Sequence, residues 1–447
     1  MEKSKTLSSV LIGIVCSICL LPADTRPNII LYLSDDLGYA DVGFMGHPYA
    51  ITPNLDKLAE QGTVFTQHYV TAITCAPSRT GIMTGVHTAR FPKYPKDFGY
   101  GDQITVVELL KNSGYTTGHF GKWHLGPDES VGTHGYDEIF SETNNNNGAE
   151  TPARDDPAVD HAINFIKKHA NGEQPFYINI SGHSTHYPVK TYPEYVGQFE
   201  DLDFDRRDFS ATMQKKFDES ASIDPDLRES MTQYLADVYG MDVNVGRILD
   251  TLDELGIAEN TIFVYSSDHG PAPVTPGKGV KPYSKNMLGY AGEFRGGKHD
   301  QTEGGVRVPF VIRWPGKIEA GRVDEESVTS FMDWLPTLGS ITGIENLPEN
   351  LDGEDISDIW LGESRPRKTT LFWKTSSARS GVSLRKEDWK FHQTRNGPQL
   401  FDLSDDASES NNLADAYPEI TSRLADLAED WRGTLPSEYE KKQGRER

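Results

Sequence analysis

Cysteine is scarce in this chain, with three among 447 residues, too few to staple an extracellular fold together with disulfides. Positive charge is scarce too: 44 Lys and Arg stand against 67 Asp and Glu, a formal net charge of −23. That balance argues against a nucleic-acid binder, which needs a broad basic field. The apolar run at residues 10–21 falls short of the roughly 20 residues that a stable membrane span requires. There is no internal repeat, and the low-complexity content is the Asn run at 144–147. What remains is globular in composition, 36% hydrophobic and 25% charged, at a length that suits two or three domains. The negative charge sets a condition: an anionic substrate needs a local cluster of cations to hold it against the overall field.

The amino terminus reads as an export signal, for a periplasmic or secreted protein. Lys3 and Lys5 form a positive start, 10–21 an apolar stretch, and Ala23 a small residue for cleavage. Cys16 and Cys19 lie inside this segment, so the processed chain keeps one cysteine, Cys75. A single thiol in an exported protein is either a small buried hydrophobe or a reactive group. The expected division is a signal peptide at 1–23, a catalytic domain at 24–365 and a C-terminal subdomain at 366–447.

Residues 27–33 and 261–265 are apolar without alternation, as central strands buried on both faces are. Helical spacing covers 53–62, 105–114, 158–170 and 234–255, with strands expected at 64–69, 115–120 and 175–180. This alternation predicts an α/β fold, a large mixed and mostly parallel sheet flanked by helices. Residues 203–226 are strongly charged and read as a surface excursion, and 270–297 as a long Gly- and Pro-rich loop. Beyond 365 come short strands at 370–373, 380–384, 389–394 and 399–403, a hairpin turn at Asn396-Gly397 and an amphipathic helix at 417–431. They predict a smaller α+β unit built on an antiparallel sheet.

Asp35-Asp36 ends one buried run and Asp268-His269 the other. Ligands of open α/β sheets gather beyond the carboxyl ends of the strands. Three carboxylates tolerate one another there around a hard cation, Ca²⁺ or Mg²⁺. The plainer reading, that such acids only cap the next helix, suits one pair better than two. Cys75 stands just before Pro77, a residue favoured at the first position of a helix. A helix start favours an anion, and Arg79 adds a fixed cation beside it.

The segment Cys75-Ala76-Pro77-Ser78-Arg79, with Thr84-Gly85 after it, resembles the signature of the type I, formylglycine-dependent sulfatases of the alkaline-phosphatase-like superfamily. The likeness runs along the chain through Leu33-Ser34-Asp35-Asp36-Leu37-Gly38, Gly121-Lys122-Trp123-His124, Gly297-Lys298 with Glu303-Gly304-Gly305, and Leu400-Phe401-Asp402-Leu403. Ser184-Thr185-His186-Tyr187-Pro188 is similar to the family's Pro-His-x-Pro, with Thr185 in place of the first Pro. The resemblance implies that Asp35, Asp36, Cys75, Asp268 and His269 hold a metal, Ca²⁺ or alternatively Mg²⁺, His269 standing where Asn is usual. It implies that Lys122, Lys298 and His186 bind sulfate, and that Cys75, Arg79, His124 and His186 are catalytic. Cys75 would be converted to formylglycine by a formylglycine-generating or sulfatase-maturating enzyme. The hydrated aldehyde would attack the sulfur of a sulfate ester while His186 protonates the leaving alcohol and His124 takes the proton that lets sulfate depart.

The implied substrate is a sulfated carbohydrate, an algal polysaccharide or alternatively a glycosaminoglycan, with 144–147 and 278–295 lining sugar subsites. Two rival readings are a phosphate or phosphonate ester hydrolase of the same superfamily, and an unconverted protein that binds sulfated glycans without catalysis. Cys75, where simple phosphatases of this fold use Ser or Thr, favours sulfate. His183 reads as structural.

Overall fold

A computed structural model describes residues 26–92, 99–125, 134–142, 155–274, 284–375 and 381–437. The export segment, the 144–147 run and the first part of 278–295 lie outside these residues.

The described strands are β1 (Asn28–Ser34), β2 (Thr63–Phe65), β3 (His68–Tyr69), β4 (Thr116–Lys122), β5 (Glu138–Glu142), β6 (Phe176–Ser181) and β7 (Thr261–Ser267). They continue with β8 (Phe310–Arg313), β9 (Arg322–Asp324), β10 (Thr329–Ser330), β11 (Leu371–Trp373), β12 (Ser383–Lys386), β13 (Trp389–Thr394) and β14 (Gly397–Asp402). Eight of them form one sheet in the order β5-β4-β6-β1-β7-β8-β2-β9. The run from β5 to β7 is parallel, while β8 pairs antiparallel with both β7 and β2.

Every residue of β1 and β7 is buried because helices cover both faces of the sheet. Successive strand side chains point to opposite faces, so Ile30 and Tyr32 enter one core and Ile29, Leu31 and Leu33 the other. The first core takes helices α1 (Pro53–Gln61), α4 (Asp156–His169) and α5 (Leu227–Glu254); the second takes α2 (Cys75–Thr84), α3 (Val106–Asn112) and α6 (Trp334–Thr342). A smaller antiparallel sheet, β11-β12-β13-β14, packs on helix α7 (Pro418–Gly433) through Leu384, Phe391, Leu400, Leu424 and Trp431. The fold is the expected one.

Three local expectations change. The strand expected at 64–69 is two strands in different sheets: β2 runs beside β9 as far as Thr66, whose N–H donates to the Asp324 carbonyl, and from Gln67, whose carbonyl accepts the Thr329 N–H, the chain pairs as β3 with β10. The charged stretch 203–226 contains a helix, Ala211–Ala221, which buries Met213 and Phe217 one helical turn apart. The long helix begins at Leu227 rather than 234, capped by the Asp226 side chain on the Glu229 N–H. No described helix is long and apolar enough to cross a membrane.

Candidate active site

The site lies where the central strands end. Asp35 and Asp36 follow β1, Lys122 ends β4, and Asp268 and His269 follow β7. Cys75 is the first residue of α2, two positions earlier than the Pro77 start the sequence suggests. All ten residues of that helix are buried, so its N-terminal N–H groups are shielded from bulk water.

Ligand atoms of Asp35, Asp36, Cys75 and His269 all lie within 4.8 Å of one another. Cys75 Sγ is 3.4 Å from Asp35 Oδ1, 3.1 Å from His269 Nε2 and 3.4 Å from Lys298 Nζ. His269 Nδ1 lies 2.9 Å from the Gly270 carbonyl, which accepts its proton. That bond keeps a proton on Nδ1 and turns Nε2 into the cluster, the nitrogen that would exchange its proton for a metal ion. Asp268 stands beside the four, its Oδ1 3.3 Å from His269 Nε2 and its Oδ2 accepting from Arg79 Nε at 2.9 Å.

Cations balance these acids one by one. Lys122 Nζ is bound to Asp35 Oδ2, and Lys298 Nζ lies 2.6 Å from Asp36 Oδ1. Burial would push the Asp35 and Asp36 carboxyls up, but Lys122 beside Asp35, and His186 and Lys298 beside Asp36, hold both below the usual carboxylate range. His269 shows the reverse balance: burial lowers it, and the Asp268 carboxylate and the Cys75 sulfur raise it to about 9. His186 Nδ1 donates to the Tyr187 carbonyl at 2.7 Å, leaving Nε2 4.0 Å from Asp36 Oδ2. Burial brings that imidazole down to about 4, with Asp35 opposing the shift.

Unmet polar atoms show what the cluster fits. Arg79 is 3% exposed, yet its Nη1 and Nη2 have no hydrogen-bond partner among the described residues, and neither has Asp268 Oδ1. A buried guanidinium with two idle donors fits an anion. Three carboxylates and one imidazole nitrogen fit a divalent cation with a preference for oxygen.

Of the ten residues singled out from the sequence, nine are joined by these contacts. His124 lies two residues beyond Lys122, half-buried, with a left-handed φ of 55°. His183 sits 3.6 Å from Asp155, in keeping with a structural part. Asn286, whose Nδ2 donates to Asp36 Oδ2 at 3.3 Å, was not singled out. A loop asparagine in an aperiodic stretch carries no sequence signal of such a contact.

Comparison with known proteins agrees with this geometry. The sulfatase family profile matches residues 27–344, and the profile of the N-sulphoglucosamine sulphohydrolase C-terminal region matches 297–432. Human arylsulfatase A is 29% identical over 480 residues, covering 90% of this chain and 87% of its own length. The dog N-acetylgalactosamine-6-sulfatase is 31% identical over 400 residues, covering 79% of this chain and 69% of its own. The crystal structure of Ps i-CgsB in complex with k-i-k-neocarrahexaose superposes with a TM-score of 0.75 at 24% identity, covering 93% of this chain and 95% of that one. An anion-fitting cluster beyond the strand ends, on a chain matched this far along its length, has one reading: the protein belongs to the sulfatase family, a group of sulfuric ester hydrolases.

Proposed function

We propose that this protein hydrolyses sulfate esters on a carbohydrate, with Cys75 converted to formylglycine and a divalent cation, Ca²⁺ before Mg²⁺, held by Asp35, Asp36, Asp268 and His269. The observation that carries the reading is the position of Cys75, at a buried helix start and within 3.4 Å of Asp35, His269 and Lys298. When present, the cation supplies Lewis-acid charge that offsets the sulfate oxygens, and the hydrated formylglycine supplies the nucleophilic oxygen. Arg79, Lys122 and Lys298 bind and orient the anion, an electrostatic role that strengthens as charge moves on to oxygen. His186 Nε2 gives its proton to the leaving alcohol, and His124 receives the proton that allows sulfate to depart. The dog relative's name supports a sugar substrate, as does the relation of this chain to it at 31% identity. The protein acts after export, and a maturation enzyme modifies Cys75 before folding closes the helix start.

The test is mass spectrometry of the Cys75 peptide from protein co-expressed with a maturation enzyme, beside sulfate release from a panel of sulfated glycans. Conversion to the aldehyde, sulfate release, and loss of release in Cys75→Ala are expected. Faster turnover of aryl phosphate than of aryl sulfate would overturn the reading in favour of a phosphate or phosphonate hydrolase. A thiol left intact beside retained glycan binding would favour a non-catalytic protein.

A further inference from the structure

The segment 184–186 departs from the family pattern at Thr185, and the structure gives that residue bonds a proline could not make. Its backbone N–H donates to the Asp35 carbonyl at 2.8 Å, while the Asp35 N–H donates to the Ser184 carbonyl at 3.0 Å. Its hydroxyl lies 3.1 Å from the Tyr234 oxygen on α5 and 3.4 Å from the Asp36 carbonyl. A hydroxyl has one proton to give, and the shorter path is to Tyr234. Tyr234 in turn donates to Asp41 Oδ2 at 2.6 Å. Asp41 also accepts the N–H of Gly38 on Oδ2 and that of Tyr290 on Oδ1, the latter at 2.7 Å. Thr185, Tyr234 and Asp41 are all fully buried, so each of these bonds avoids an unpaired polar group.

The relay encloses a strained turn. Asp36 has φ 62° without being glycine, a conformation that costs on the order of 1–3 kcal/mol and persists only where the surroundings over-determine it. Thr185 fastens the residue before that turn, and Asp41 gathers the backbone just after it. We propose that Thr185 is a positioning residue for the cation-binding pair Asp35–Asp36, tying their turn through Tyr234 and Asp41 to helix α5 and so setting cation affinity. This rests on the cation reading given under the proposed function.

Calorimetric titration of the full chain with Ca²⁺, and separately with Mg²⁺, tests it. Thr185→Val and Tyr234→Phe should each weaken binding about 10–100-fold, the usual effect of removing a bond that orients metal ligands. The double variant should be no weaker than the weaker single one, because both changes cut one relay. Thr185→Ser, which keeps the hydroxyl, should bind as the wild type does. A merely structural role predicts lower melting temperatures with unchanged affinity, and affinities within twofold of wild type for Thr185→Val and Tyr234→Phe would overturn the proposal. Asp36→Asn separates the two ideas. If wild type binds neither ion, or binds as well with Asn at 36, the cation reading fails; if only Asp36→Asn weakens binding, the relay alone fails.

Discussion

At the scale of single residues, His186 shows how burial and the general-acid role proposed for it pull against each other. Its imidazole is neutral above about 4 in the substrate-free protein because burial disfavours the cation, with Asp35 and Asp36 opposing. A general acid must carry a proton, so its protonated fraction rises as pH falls from 7 towards 4. For a sugar sulfate, whose alkoxide is a poor leaving group, kcat/KM is therefore expected to climb as pH is lowered through that window. An aryl sulfate, whose phenolate leaves unaided, should show a flatter limb. His186→Asn should cut turnover of the sugar sulfate by about 10²–10⁴-fold, the usual worth of general acid catalysis, and of the aryl sulfate far less. Steady-state kinetics on both esters check this; equal losses would assign His186 to anion binding alone.

At the scale of elements, the sheet was legible because β1 and β7 are uninterrupted apolar runs, and the acids after them marked the strand ends. Lys122 and Lys298 were legible by their motif positions, since most lysines are solvated. What the sequence hid are contacts between distant segments. Glu303, in the short helix Glu303–Val306, is buried against Lys390 Nζ of β13 at 2.7 Å and accepts from the Tyr69 hydroxyl at 2.6 Å. Lys390 also lies 4.2 Å over the Trp373 ring. No periodicity links residues 87 apart in the chain, so the pair that joins the small sheet to the Lys298 segment was invisible. Burial would raise the Glu303 carboxyl, but Lys390, then Arg307 and Arg385, bring it down to about 2. A carboxyl lowered in the folded state adds stability above its unfolded value, and that stability is lost as pH falls from about 4.5 towards 2. Glu303→Gln should lose about 3–5 kcal/mol near neutrality, since it leaves a buried ammonium uncompensated, and should flatten the acid limb of the stability curve. Glu303→Gln with Lys390→Met should recover much of the loss. Urea unfolding across pH measures both, and a variant as stable as wild type at pH 7 would refute the role.

At the scale of the whole molecule, a net charge of −23 surrounds a site meant for an anion. Asp35, Asp36 and Asp268 are at most 2% exposed, and burying three carboxylates costs folding energy unless cations answer each of them. Lys122, Lys298 and Arg79 answer them in pairs, yet the same three cations are the groups that would hold a sulfate. One set of positive charges cannot serve acids and substrate at full strength together. The proposed divalent ion among the acids would resolve the conflict, freeing the lysines for the anion, and would link ion, substrate and fold thermodynamically. A ligand bound to the folded state alone at a hundred times its dissociation constant adds about 2.7 kcal/mol, enough to raise the melting temperature of a protein this large by about a few degrees. Saturating Ca²⁺ should therefore raise the melting temperature of chelator-treated protein, and EDTA should reverse the rise. Asp36→Asn should abolish the response while Cys75→Ala keeps most of it, since a carboxylate matters more to the ion than the thiol does. Inorganic sulfate should bind the Ca²⁺-loaded protein more tightly than the chelated one, because only there are Lys122 and Lys298 released. Equal sulfate affinity in the two forms, read by calorimetry at fixed ionic strength, would show that the lysines never leave the acids and that the sulfate is held elsewhere.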